Sequence, residues 1–450
     1  MQPIPYLPYI LNKWDIYLTP VYLVLVFFII SKWKKKYYPG SHLGKFIIPA
    51  FILRVLGCIF LVLIYQYFYG YGDTYKYFTG GHEIWEAFIH SPKIASEIIT
   101  NRPENYSAEA LEYAQFSGYR LFSNSIYAMF KITGVTGLFC FGTYLPIALI
   151  FCLLSFWGTW MIFITINKYF PHLYKYTAIA CLFIPSVIIW STGILKEPLC
   201  MFGLGLCFYS FDNFLHKKGL FRNLFFFAAG TLILLVLKDY IFYAFLAAAL
   251  VWSYRYFIVH LKNLLSKIVV KVIIYTGIIA FLLYFFTVTP NPIRESITDY
   301  LTKGENLQNV MTSINETYGG SAYTLPGISG LNAGDFLKNY FLALNVALFR
   351  PYIWECTNVL MILNFLQSFA TFILVLLVLF RAGLLKIIRY CNKNPILVFC
   401  LVFTLVFAPI VGFISFNFGT LIRYAIPFQP FLFSFLLIIF FDKKGEKISV

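Results

Sequence analysis

IIPAFILRVLGCIFLVLIYQYFY, residues 47–69, carries one formal charge, Arg54, in an otherwise apolar run. The hydrocarbon core of a bilayer is about 30 Å thick, and about 20 helical residues cross it. This stretch therefore reads as a membrane span. Working outward, similar runs recur along the whole chain, and eleven candidate spans can be marked: 15–31, 47–69, 138–166, 177–194, 198–213, 223–238, 241–258, 268–288, 357–380, 395–417 and 422–441. The spacing predicts an all-α, polytopic transmembrane bundle, a single integral-membrane domain over 1–450. The fourth to sixth spans are short for full crossings, which predicts tilted pairs or partly re-entrant segments.

Composition agrees. Of 450 residues, 60% are hydrophobic, 21% aromatic and 12% charged. Soluble domains run at about 45–50% apolar and about 25% charged. An ordinary soluble fold is excluded, and so is intrinsic disorder, which needs low hydrophobicity and high charge.

The net charge of +16 would suggest nucleic acid in a soluble protein. Here the charges sort by side. With the N-terminus outside, the cytoplasmic segments hold Lys32, Lys34, Lys35, Lys36, Lys45, Lys168, Lys175, Lys217, Lys218, Arg222, Arg255, Lys262, Lys267, Lys271, Arg381, Lys386, Arg389, Lys393, Lys443, Lys444 and Lys447. Only the acids Asp212, Asp442 and Glu446 lie with them. Cytoplasmic loops of membrane proteins are enriched in Lys and Arg, so the surplus is a topology signal, and no nucleic-acid partner is expected. The C-terminus is then cytoplasmic. The first span has its basic cluster after the apolar run and no small-residue cleavage site, so it is expected to remain in the mature protein.

Two long segments fall outside. The first, 70–137, ends in RLFSNSIYAMFKI (120–132), whose apolar positions predict an interfacial helix. The second, 289–356, contains the Gly-rich stretch TYGGSAYTLPGISGLNAGDF and ends in an aromatic segment, 336–354, expected to lie helically on the membrane surface. Neither GxGxxG nor GxxxxGK[ST] occurs, so ATP-driven chemistry is not indicated. The nine cysteines show no metal-ligand spacing and read as inert buried thiols.

The residues that can carry chemistry are charges at the outer ends of spans. Gly72-Asp73-Thr74-Tyr75-Lys76-Tyr77 follows the second span. In a helix Asp73, Lys76 and Tyr77 share a face. A desolvated carboxylate there can act as a general base, though an interfacial anchor with an exposed ion pair explains the same residues. Ser191-Thr192-Gly193-Ile194-Leu195-Lys196-Glu197-Pro198 predicts a tight outer hairpin, because Pro198 suits a first helical turn and Glu197 suits a helix N-terminus. Lys238-Asp239-Tyr240 repeats the pattern between the sixth and seventh spans. Two ammonium groups at one depth can hold a phosphate or pyrophosphate; a polar hairpin tip is the plainer alternative. Arg350-Pro351-Tyr352-Ile353-Trp354-Glu355 precedes the ninth span, and Arg423-Tyr424 with Pro427 and Pro430 opens the last. Several outer arginines together favour an anionic ligand. Arg54 lies about 15 Å deep if its span starts near Gly44, too far for easy snorkelling, and is expected to be a paired internal residue, with different span ends as the alternative. His82 and Glu86, with Glu83 beside them, have the i,i+4 spacing of metal ligands, but a solvated helix face explains them as well. A divalent metal is weakly supported and no other cofactor is indicated.

Four motifs together resemble the integral-membrane glycosyltransferases of the GT-C type and the related surface-polysaccharide polymerases, including EpsG-like and O-antigen-polymerase-like proteins. They are GDTYKYF after an early span, PSVIIWSTGILKEPL, LFRPYIWE before a late span, and RYAIPFQPFL opening the last. The likeness covers roughly residues 60–440. It implies a bacterial cytoplasmic (inner) membrane enzyme that transfers sugar on the outer face from a polyprenyl phosphate or diphosphate donor to a saccharide acceptor. In that family reading Asp73 deprotonates the acceptor hydroxyl. Lys196, Lys238, Arg350 and Arg423 hold the lipid phosphate, with Lys76, Glu197, Asp239 and Glu355 in the same binding set. A transporter or flippase for a lipid-linked or anionic solute is the second class. Such proteins show internal repeats and broken helices at mid-membrane; no repeat is visible, and the charges gather at outer ends instead.

Overall fold

A computed structural model describes residues 10–118, 122–260, 333–415 and 417–442. The helices, numbered in chain order, are α1 (Lys13–Tyr37), α2 (Ile47–Ile64), α3 (Asp73–His90), α4 (Pro92–Thr100), α5 (Ala108–Tyr113), α6 (Asn124–Phe139), α7 (Tyr144–Tyr169), α8 (Tyr174–Leu182), α9 (Pro185–Trp190), α10 (Lys196–Leu215), α11 (Leu220–His260), α12 (Ala333–Phe349), α13 (Val359–Lys393), α14 (Pro395–Ile414), α15 (Phe418–Ala425) and α16 (Gln429–Phe441). No β-strand occurs among the described residues. Seven of their helices are long and apolar enough to cross a membrane, or eight if the bent pair α15 and α16 is one span. The regular structure of the described residues is all-helical, with the spans of a multi-pass membrane protein.

The difference from eleven has local causes. The stretch 177–194 is not one helix. Pro185 bars the helical conformation from the residue before it, Ile184 is extended (φ −72°, ψ 124°), and the chain restarts as α9. The sixth and seventh spans are the two arms of α11, counted above as one helix, which folds back at Lys238 (φ −154°, ψ 80°) so that the Phe227 and Phe242 rings lie 6.5 Å apart. Its arms, 220–237 and 239–260, are about 27 and 33 Å long at 1.5 Å per residue. The last span is bent by 66° between α15 and α16, where Pro427 and Pro430 interrupt backbone donation. The described residues of the segment 70–137 hold α3 to α6, and α6 covers most of the helix predicted at 120–132. The predicted span 268–288, the Gly-rich stretch of 289–356 apart from the start of α12, residues 120 and 121, and the tail lysines lie outside the described residues.

The chain divides into two compact units. Unit 1 comprises Met1–Thr165, Leu182–Phe214 and Lys218–Phe242; unit 2 comprises Ile166–Cys181, Leu215–Lys217 and Tyr243–Val450. In unit 1, α3 and α6 pack through small residues: Gly80 and Gly81 face Phe130 and Thr133, and Gly134 faces Ile84. Helices α7 and α10 approach so closely that a methyl group at Gly158 or Gly205 would collide with the opposite backbone. Such contacts matter in lipid, where burial of apolar surface no longer drives helices together. One buried carboxylate serves two helix starts: Asp15 accepts from Asn12 N (3.0 Å) before α1 and from Leu145 N (2.7 Å) at α7. Each satisfies an N–H that the helix itself cannot.

In unit 2, Phe399, Phe403 and Phe407 stack at four-residue spacing along α14, with ring centroids 5.8 and 5.5 Å apart. Phe431 of α16 meets the first two edge-on at 5.4 and 5.0 Å. Asp442, at the end of α16, receives the Tyr390 hydroxyl of α13 and stands 3.1 Å from His172 Nε2. All nine cysteines are free thiols, eight of them buried.

Candidate functional site

Unit 1 gathers charged side chains from helix ends and one helix break. Asp73 is the first residue of α3, where the N-terminal N–H groups favour a negative charge. Gly72 precedes it at φ +131°, a conformation that a side chain would strain, and a Cβ there would meet the Tyr65 ring. Lys76, one turn on, lies 3.5 Å from Asp73. Tyr77 is buried on the same helix.

Lys196 and Glu197 open α10. Lys196 Nζ donates to Ser125 Oγ of α6 at 2.8 Å and stands 5.8 Å from the Tyr77 ring centroid. Asp73, Glu197 and Lys238 all lie within Coulombic reach of it. Glu197 is buried and accepts from Lys238 Nζ at 3.0 Å. Lys238 reaches it from the break in α11, where the lost helical geometry frees the side chain to turn inward. Asp239 then accepts from Tyr240 N (2.9 Å) at the start of the second arm. Residues predicted from three separate motifs, Asp73 with Lys76, Lys196 with Glu197, and Lys238 with Asp239, thus belong to one unit, and Lys196 links the first group electrostatically to the others.

Two residues that the sequence did not single out hold this arrangement. Ser125 supplies the hydroxyl on Lys196; within RLFSNSIYAMFKI it shows only as one of two serines near a helix start. Tyr144, the first residue of α7, shares a hydrogen bond with Thr74 of α3 and accepts from Ile194 N (3.5 Å), so one phenol joins α3 to the turn before Lys196. Nothing in a lone Tyr among 34 signals this.

Glu83, Glu86 and His82 form a second polar group on α3. Both Glu83 oxygens accept from backbone, Phe116 N (2.6 Å) and Ser117 N (2.8 Å). Burial nevertheless pushes its pKa up to about 7, aided by the nearby Glu86 charge. His82 bonds the Gly142 carbonyl through Nδ1 (2.9 Å) and faces Glu86 through Nε2 (3.5 Å). Burial opposes its charge, but Glu86, the carbonyl and Glu83 outweigh burial and raise its pKa. Among the described residues no group of three His, Cys, Asp or Glu side chains is placed to hold a metal ion.

Arg350, Glu355 and Arg423 lie in unit 2. Arg350 Nε stands 2.9 and 3.1 Å from the two Glu355 oxygens, and its Nη2 also donates to Glu355. Its guanidinium carbon is 5.2 Å from the Phe418 ring centroid. Phe418 begins α15, the short helix that carries buried Arg423, whose guanidinium lies 5.9 Å from the Tyr424 ring centroid. Arg350 and Glu355 are therefore first of all partners to each other. No protein-family model matches the chain, and no curated protein or solved structure is significantly similar to it.

Proposed function

We propose that the protein is a glycosyltransferase or polysaccharide polymerase of the bacterial cytoplasmic membrane, taking sugar from a polyprenyl phosphate or diphosphate donor on the outer face. The observation that carries this reading is Lys196. It is an ammonium at a helix start whose hydrogen-bond partner is a neutral hydroxyl, with a carboxylate, Asp73, close by. An anion can replace the Ser125 hydroxyl without first breaking an ion pair. In the proposed orientation, with the N-terminus outside, the starts of α3 and α10 and the break in α11 all fall at the outer side. α1 and the extended helices near 381–393 then place their basic clusters inside, as the charge rule expects.

In the proposed reaction Asp73 accepts the proton of the acceptor hydroxyl. The freed oxygen bonds to the anomeric carbon of the donor sugar. The bond from that carbon to the phosphate oxygen breaks, and its electron pair stays on the lipid phosphate, whose growing charge Lys196 and Lys238 stabilise. Lys76 orients Asp73, and Glu197 and Asp239 fix Lys238. Arg350 and Arg423 are proposed as cations for a lipid phosphate in unit 2, with Glu355 as the carboxylate partner of Arg350. The divalent-metal option adds nothing to this scheme.

Binding of farnesyl phosphate and farnesyl diphosphate to the purified full-length protein tests the phosphate role. Lys196→Ala should weaken binding by about tenfold or more, the loss of a charge-assisted hydrogen bond. Undiminished binding would remove Lys196 from the scheme. One observation favours the transporter or flippase reading: a buried Lys238–Glu197 ion pair among apolar helices, a feature of substrate pathways in transporters. Movement of a lipid-linked sugar across vesicles without a transfer product would select that reading.

A further inference from the structure

Arg54 is fully buried in the middle of α2. The sequence predicted a paired internal cation, and a carboxylate is the usual partner. The structure gives it three hydroxyls instead. Nη1 donates to Ser155 Oγ (2.9 Å) and Ser191 Oγ (2.6 Å), and Nη2 donates to Thr159 Oγ1 (3.0 Å). Its Nε has no hydrogen-bond partner. A buried guanidinium without a counter-charge among the described residues is a costly way to join helices, and neutral hydrogen-bonding side chains would do so at lower desolvation cost. What arginine alone provides is the rigid fork. Nη1 and Nη2 together grip α7 at two positions a turn apart, and Nη1 also holds Ser191.

Ser191 begins the turn that delivers Lys196. Its hydroxyl also donates to the Val187 carbonyl, closing the end of α9. Around it the turn is fixed from the same side. A Cβ at Gly57 of α2 would lie 2.6 Å from the Ile188 carbonyl oxygen, so α2 runs directly against α9. Gly193 is at φ +72° with Leu61 beneath it, and Ile194 N donates to Tyr144. Lys196 follows two residues later with no intervening loop.

We infer that Arg54 is a positioning residue for Lys196, acting through Ser191 by locking the 191–195 turn against α2 and α7. Its functional meaning rests on the reading of Lys196 as the anion-binding group, but its geometry does not. The test therefore uses no substrate. Full-length protein in detergent is pulse-labelled with an amine-reactive anhydride over a pH series, and modification of Lys196 is followed by mass spectrometry, with Lys131 as an internal reference.

Ser155→Ala and Ser191→Ala each remove one acceptor from the same guanidinium nitrogen, yet only Ser191 lies on the route to Lys196. Ser191→Ala and Arg54→Lys should label Lys196 about fivefold faster than wild type, the population shift that losing one buried hydrogen bond supports. Ser155→Ala should stay near the wild-type rate, and Lys131 should be unchanged throughout. Adding Arg54→Lys to Ser191→Ala should bring no further increase. Equal effects of the two serine variants, or a wild-type Lys196 rate in Ser191→Ala, would overturn the inference. A failure of Lys196→Ala to weaken farnesyl phosphate binding would instead count against the proposed function and leave the positioning result standing.

Discussion

Lys238 Nζ and Glu197 Oε1 meet at 3.0 Å across 41 residues of sequence, with the two side chains only 8% and 3% exposed. The pair fixes the break in α11 to the start of α10. It also sets the charge that Lys196 faces, because both members act on it.

A buried pair is expensive to half-remove. Glu197→Gln leaves the Lys238 charge buried with a neutral partner and should cost about 3 kcal/mol of stability or more. The double variant Glu197→Gln/Lys238→Met removes the stranded charge and should recover much of that loss. Thermal unfolding in detergent measures both. A double variant no more stable than the single one would show that the pair does not govern this junction.

Glu83 makes stability pH-dependent. Its folded pKa of about 7 lies above the ordinary 4.5, so in the folded state it holds its proton where an unfolded chain would release it. Its contribution is full below the ordinary value and is lost as pH rises through about 7. His82, also raised, adds in the same direction. Between about pH 5 and pH 8 the unfolding temperature should fall, and Glu83→Gln should remove much of that slope. An identical slope in wild type and variant would place the titration elsewhere.

Gly158 and Gly137 should respond in opposite ways. A side chain at Gly158 meets the α10 backbone, which cannot yield, so Gly158→Leu should abolish monodisperse elution. A Cβ at Gly137 would find Ile147 Cδ1 at 3.6 Å, an ordinary contact. Gly137→Ala should be neutral or stabilise by up to about 1 kcal/mol through helix propensity. Comparable loss of folded protein in both would contradict the close α7–α10 packing.

The helical membrane architecture was legible because apolar runs of bilayer length leave little alternative, as 47–69 shows. What periodicity and hydropathy do not encode is where a helix is interrupted without a change in composition. Lys238 and Asp239 read as a hairpin tip between two spans, and the structure folds the two arms of α11 back on each other there, with a single non-helical residue and no loop. Pro185 carried the signal that divides 177–194, but the apolar composition on both sides concealed it. The charged residues of the site were found from their position at span ends. Their neutral partners were not. Ser125, Tyr144 and the three hydroxyls on Arg54 are common residue types, and tertiary packing alone gives them their roles.

The chemistry assigned to Asp73 is the central claim. It is tested most directly by incubating the purified protein with a lipid-linked sugar donor and a saccharide acceptor and measuring product formation. Wild type should form product, and Asp73→Asn, folded and still binding farnesyl phosphate, should be slower by about 100-fold or more, the loss of a general base. Equal product yields from wild type and Asp73→Asn would contradict it.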